Sequence, residues 1–184
     1  MTRKLALAFS SAVLVLASAS VVSAQTWSAA GLTGIVDEAD LSIHRFNDTG
    51  SVSIKSSVAS GTLNLRFPVG TFHWVPQEGD CPELRANLRD TGAGARVIVR
   101  LMRLGIGGEA LIGELTSVAT IDSDRFPSAA STRYISHRAC LNGEPSPIVD
   151  VTYYVDVQLI KTSGTANPGL MSLQICPSQD FCDP

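Results

Sequence analysis

The sequence predicts an all-β protein: a single-domain antiparallel β-sandwich, jelly-roll or immunoglobulin-like, with eight or nine strands after a cleaved signal peptide. Three observations predict it. Apolar and polar residues alternate with period two in run after run, and turn residues separate the runs. No segment offers a capped helix longer than two turns. The runs recur roughly every 10 to 15 residues, as in a sandwich and unlike a chain of alternating strands and helices.

The N-terminal residues read as an address and not as part of the fold. Arg3 and Lys4 form a positive start, and residues 5–16 are uncharged and rich in Leu, Ala and Val. Val22-Ser23-Ala24 then supplies the small residues that signal peptidase requires, so a signal peptide over 1–24 and one domain over 25–184 are expected. Residues 5–24 carry no charge and have the length to span a bilayer. Their serines crowd toward the proposed cut, which favours cleavage over anchoring. No later stretch reaches spanning length, so the mature chain is expected to be secreted or periplasmic, without a membrane span.

Within the mature chain, weaker alternation marks strands near 34–36, 41–46 and 51–57. Leu63, Leu65 and Phe67 alternate with Asn64 and Arg66, and Pro68 is expected to stop that run. A strand near 84–90 follows. Over 96–104, Val97, Val99, Leu101 and Arg103 share one face, and Ile98, Arg100, Met102 and Leu104 share the other. Further strands are expected near 111–118 and 133–139. The clearest run is 149–161: Val151, Tyr153, Val155, Val157 and Leu159 face one way, and Asp150, Thr152, Tyr154, Asp156 and Gln158 face the other. Such a strand has one face on the core and one toward water. A loop through Gly164 and Asn167-Pro168-Gly169 leads to Met171, Leu173 and Ile175, which read as the second strand of a hairpin.

Composition excludes several classes. A chain of 184 residues with 45 % hydrophobic and 17 % charged residues is neither disordered nor large enough for several ordinary domains. Its net charge of −3 comes from 14 Lys+Arg against 17 Asp+Glu, and gives no basic field for nucleic acid. Arg96, Arg100 and Arg103 fall in one stretch, but Arg100 points to the opposite face from Arg103 in a strand, so they make no stripe.

Cys81, Cys140, Cys176 and Cys182 are an even set in a chain expected to be exported, which reads as two disulfides. The expected pairs are Cys81–Cys140 and Cys176–Cys182; chain entropy would assign them about 4 and about 2 kcal/mol. Zinc is disfavoured because no Cys-x-x-Cys pair exists.

Chemical motifs are sparse. Gly105-Ile106-Gly107-Gly108-Glu109-Ala110 matches the glycine pattern of a dinucleotide site, but such a site needs a buried parallel strand before it and a helix after it. The arginines of the preceding run argue instead for a glycine-rich turn between antiparallel strands. His44, His73 and His137 are the three histidines, and no G-x-S-x-G elbow accompanies them. His44 and His137 read as solvent-facing strand positions. Carboxylates crowded in Asp37-Glu38-Ala39-Asp40 and Asp122-Ser123-Asp124 suit calcium, with Asp122 and Asp124 the preferred pair and no other cofactor expected. Asn47-Asp48-Thr49 is a glycosylation triplet by rule.

Phe72-His73-Trp74-Val75-Pro76 has the most unusual local composition. Trp74 and His73 offer a flat apolar surface with a polar edge, and Tyr134 and Tyr154 are candidate surface additions to it. Trp74 reads more readily as a plug for the end of the sandwich. The expected function is therefore an exported, non-catalytic binding or surface-structural module with a carbohydrate or protein ligand. The alternatives are a secreted hydrolase whose site assembles only in space, and a protein-partner module such as an inhibitor or assembly subunit.

Overall fold

A computed structural model describes residues 26–70, 83–106, 115–138 and 150–176. The expected signal peptide, Trp74, His73, Cys81, Cys140 and Cys182 lie outside these residues. The described chain forms eleven strands: β1 (Trp27–Ala30), β2 (Ile35–Val36), β3 (His44–Phe46), β4 (Val52–Ile54), β5 (Gly61–Gly70), β6 (Glu83–Asp90), β7 (Ala95–Ile106), β8 (Leu115–Asp122), β9 (Ala129–Arg138), β10 (Asp150–Lys161) and β11 (Gly169–Cys176). Three short 3-10 turns accompany them, at Gly31–Thr33, Glu38–Asp40 and Ser123–Arg125, and no α-helix occurs among the described residues. Eleven strands exceed the expected eight or nine; β1 to β4 are two to four residues each, and β1 is the one that no alternating run marked.

The strands form two antiparallel sheets, so the expected sandwich is observed. One sheet has the order β3-β4-β11-β6-β9, with β1 also on β11, and the other is β2-β5-β10-β7-β8. β4 pairs with β11 at Gly169 and Leu170, and β1 pairs with it from Ser172 to Ile175. Period two does its work on each strand. Leu63, Leu65, Phe67, Val97, Val99, Val155, Val157 and Leu159 of one sheet meet Val52, Leu84, Ala86, Leu88, Leu170, Leu173 and Ile175 of the other, and all are essentially fully buried. Burying such side chains contributes about 1.5–3 kcal/mol each in transfer terms.

Two expectations are corrected. β10 and β11 are not a hairpin, because β10 lies in the five-stranded sheet and β11 in the six-stranded one. Residues 162–168 carry the chain across the end of the sandwich. Thr162 N donates to Gly94 O (2.7 Å), Arg89 Nη2 to Asn167 Oδ1 (2.8 Å), and Asn167 N to Thr91 Oγ1 (3.1 Å). Alternation says that a strand buries one face; it does not say whether its successor lies beside it or across the core. Secondly, Pro68 does not stop its strand, which continues to Gly70. The β5–β10 register shifts there, between Tyr153 and Tyr154, and a residue without N–H is tolerated at such an irregularity.

The true hairpins are β3–β4 and β7–β8. β7 and β8 pair antiparallel, so the strand that leads into the glycine run is not the buried parallel strand that a dinucleotide site needs. Residues 107–114 of that connection lie outside the described residues.

Candidate functional site

The outward face of the five-stranded sheet carries a polar network placed by strand register. Along β10, Tyr154, Asp156, Gln158 and Ile160 alternate with the half-buried Tyr153 and the buried Val155, Val157 and Leu159, and therefore share this face. Register sets Asn64 and Ile98 on either side of Gln158, and Arg66 and Arg100 on either side of Asp156. β2 closes the edge, with Ile35 opposite Arg66.

These side chains hold one another in a single hydrogen-bonded sequence. Arg100 Nη1 donates to Asp156 Oδ2 (3.3 Å) and to Gln158 Oε1 (3.2 Å). Gln158 Nε2 donates to Asn64 Oδ1 (3.1 Å), and Asn64 in turn donates to Asp40 Oδ2 from its side-chain amide (2.9 Å) and its backbone N (2.8 Å). Each amide thus donates at one end and accepts at the other, which sets the orientation of both. Asp37 anchors the rim: its backbone N donates to Asn64 O (3.2 Å), and its carboxylate accepts from Ala39 N (3.1 Å) at the start of the Glu38–Asp40 turn. Ile35, Val36, Asp37, Asn64, Arg66, Asp156 and Gln158 enclose an open cleft of about 390 Å³. Arg66 is exposed, and its guanidinium makes no hydrogen bond or ion pair among the described residues. Ile35 is 62 % exposed, an apolar lip on a polar cleft.

The sequence-predicted residues are dispersed. Tyr154 lies one step along β10 from Asp156, on the same face and beside the cleft. Tyr134, 65 % exposed, lies on the outward face of the six-stranded sheet beside Asn87, so the structure sets the two tyrosines on opposite sides of the sandwich. They do not form one aromatic platform. His44, on β3, packs its ring edge-on against Phe46 (4.9 Å), and its Nδ1 is buried without a partner among the described residues. It is half-buried and not solvent-facing as expected, because β3 lies against the buried β4. His137, on β9, is exposed as expected. Neither histidine is ion-paired with a carboxylate among the described residues.

Asp122 and Asp124 do come together, but on an arginine. Arg96 donates to Asp122 through Nε (3.0 Å) and Nη2 (2.6 Å), and its Nε lies 3.2 Å from Asp124 Oδ2. Asp122 also accepts from Asp124 N, and Ser123 Oγ accepts from Val97 N (2.8 Å), so the segment is a cap on the Ser123–Arg125 turn. The hydrogen bonds from Arg96 hold the Asp122 carboxyl below the usual carboxylate range, against the opposing effect of burial. No group of three metal-ligating side chains assembles among the described residues.

Elsewhere, burial raises the Tyr153 hydroxyl, and the nearby charge of Arg103 partly offsets it. Burial also opposes ionisation of Glu83, but hydrogen bonds from Arg85 and Ser136 and the charges of Arg85 and Arg138 outweigh it and lower the carboxyl. Cys176 is fully buried at the end of β11, and no described cysteine is free. Its candidate partners all lie outside the described residues.

Sequence reasoning missed Asp40, Asn64, Arg66, Arg100, Asp156 and Gln158 as a site. Their signal was present as polar positions on three strands and one turn, but 94 residues separate Asn64 from Gln158, and register alone makes them neighbours.

No family model matches the chain, and no curated protein matches it. Among solved structures, the chain is similar to the C-terminal CBM6 of a marine laminarinase from Zobellia galactanivorans. Identity is 14 % and the TM-score 0.43, over 83 % of this chain and 99 % of that one. It is similar to a family 30 carbohydrate binding module at 16 % identity and TM-score 0.43, over 86 % and 85 %. A family two carbohydrate esterase from Cellvibrio japonicus matches at 14 % identity and TM-score 0.40, over 84 % of this chain; this chain spans 34 % of that one. At these values the likenesses are distant ones of shape, and no ligand or activity follows from them. No described helix is long and apolar enough to cross a membrane.

Proposed function

We propose that this protein is an exported, non-catalytic carbohydrate-binding module that takes its ligand in the cleft on the five-stranded sheet. The observation that carries the proposal is the connected set Asp40, Asn64, Gln158, Arg100 and Asp156 lining or supporting an open cleft. A sugar presents neighbouring hydroxyls that each donate and accept. Oriented amides, a carboxylate and the Arg100 guanidinium match that pattern at low ordering cost, because their own partners already hold them. Tyr154 supplies an apolar ring beside the polar cleft, as a sugar ring face requires. Asp156 is engaged with Arg100, which suits a binding carboxylate better than a free general base.

Export through the signal peptide over 1–24 and the bridges Cys81–Cys140 and Cys176–Cys182 belong to the same proposal. Sequencing the mature N-terminus and non-reducing peptide mapping test them.

The binding test is calorimetry of the oxidised protein against soluble mixed-linkage β-glucan, xylan and β-1,4-galactan. Asp156→Ala and Gln158→Ala each remove a charged or bridging hydrogen bond of about 1.5–3 kcal/mol, so binding is expected to weaken about ten- to hundredfold. Trp74→Ala, tested beside them, shows whether that aromatic shares the ligand. Absence of binding to every one of these polysaccharides overturns the proposal.

A further inference from the structure

The same sheet face carries a second cavity beside the cleft. The second, of about 490 Å³, opens at the end of the sandwich, where the β6–β7 turn meets the Ser123–Arg125 turn. Arg96, Asp124, Phe126, Ser128 and Ile160 are among the residues around it. Gly92 and Gly94 line it in left-handed conformations (φ +97° and +92°) that favour glycine, and a Cβ at Gly92 would lie 3.2 Å from Ser128 Oγ on its wall. Phe126 is 39 % exposed, and Arg96 is held in place by Asp122 and Asp124.

The two cavities adjoin. Gln158 lines the first and Ile160 the second, and these are successive outward residues of β10, about 6.7 Å apart along the strand. Register sets Arg96 opposite Ile160 and Ile98 opposite Gln158. From Ile35 on β2 to Arg96 on β7 the face crosses β5 and β10, three strand spacings or about 14 Å. A single sugar unit does not reach from one cavity to the other.

We propose that the two cavities are subsites of one track that binds an extended polysaccharide chain obliquely across the strands. Phe126 is the stacking surface of the distal subsite, and the Arg96–Asp124 pair binds hydroxyls there. This rests on the carbohydrate-binding reading of the first cleft and adds the ligand's class: an internal stretch of polymer and not a mono- or disaccharide.

The experiment is calorimetry of the oxidised protein with cello-, xylo- and β-1,4-galacto-oligosaccharides, from the disaccharide to the hexasaccharide. In the series that binds, affinity is expected to rise about tenfold or more with length. Phe126→Ala removes that gain and leaves the affinity for short oligosaccharides unchanged, whereas Gln158→Ala weakens all lengths. Ser128→Trp, which fills the distal cavity from an exposed position, reproduces the Phe126→Ala result without deleting an aromatic ring. Affinity independent of length, or full hexasaccharide affinity in both the Phe126 and Ser128 variants, overturns the track while the binding reading survives. If no oligosaccharide of any series binds, both fall together.

Discussion

Arg96 grips Asp122 through two hydrogen bonds, 3.0 and 2.6 Å long, and the same guanidinium reaches Asp124 at 3.2 Å. The pair of carboxylates that suggested calcium is thus already engaged by a cation fixed between β7 and the turn after β8. A divalent ion would have to displace that guanidinium. Calcium at millimolar concentration is therefore expected to leave the unfolding midpoint of the protein unchanged, and Arg96→Gln is expected to create whatever calcium response can exist there. A calcium-induced rise in the wild-type midpoint would show that the arginine yields.

The same contact sets a pH dependence. The Asp122 carboxyl lies below its ordinary range in the folded protein, chiefly through the hydrogen bonds from Arg96. In the unfolded chain it titrates near 3.9. Its contribution to stability is thus complete above about pH 4–5, and is lost as pH falls through the lower folded value. Asp122→Asn is expected to be less stable at neutral pH by about 1–2 kcal/mol, a cost of charge-assisted hydrogen bonds and turn cap. It is also expected to lose stability less steeply below about pH 4, because one linked proton is gone. Denaturant titrations at a series of pH values check both the offset and the change of slope.

Asp40 tests the cleft from behind. It does not line the cavity, yet its Oδ2 receives both the side-chain amide and the backbone N of Asn64. Asp40→Ala frees Asn64 to rotate, and glycan binding is expected to fall about fivefold, the worth of about 1 kcal/mol of lost orientation. Asp40→Asn keeps an accepting oxygen in place and is expected to restore most of the affinity. Equal losses in both variants would point to a charge effect and not to positioning.

Gly34 and Phe67 pack as a pair in the core beneath β2. A Cβ at Gly34 would lie 2.5 Å from Phe67 Cζ, and the Phe67 ring is 1 % exposed. Gly34→Ala is expected to cost about 1–3 kcal/mol by overpacking, a drop of roughly 2–12 °C in midpoint for a domain of this size. In a Phe67→Leu background the same change is expected to cost less, with a coupling of about 0.5 kcal/mol or more in a double-mutant cycle. Thermal unfolding of the four proteins measures it.

The sequence by itself determined which faces of the long strands enter the core. Alternation at Leu63–Leu65–Phe67, Val97–Val99–Leu101 and Val155–Val157–Leu159 is a local property, and each of these residues is buried as it implies. It also marked Asn64, Arg66, Asp156 and Gln158 as outward and polar. It had no means of showing that they form one site, because that depends on the β5–β10 register, a long-range pairing whose energy resides in the sheet and core as a whole. For the same reason β10 and β11 read as a hairpin although they belong to different sheets. Period-two burial is satisfied equally by a neighbour in the sheet and by a partner across the core. Asp122 and Asp124 show the same division. Their proximity was legible from a spacing of two residues, but the cation that occupies them comes from Arg96, 26 residues earlier, and only the antiparallel pairing of β7 with β8 brings it there.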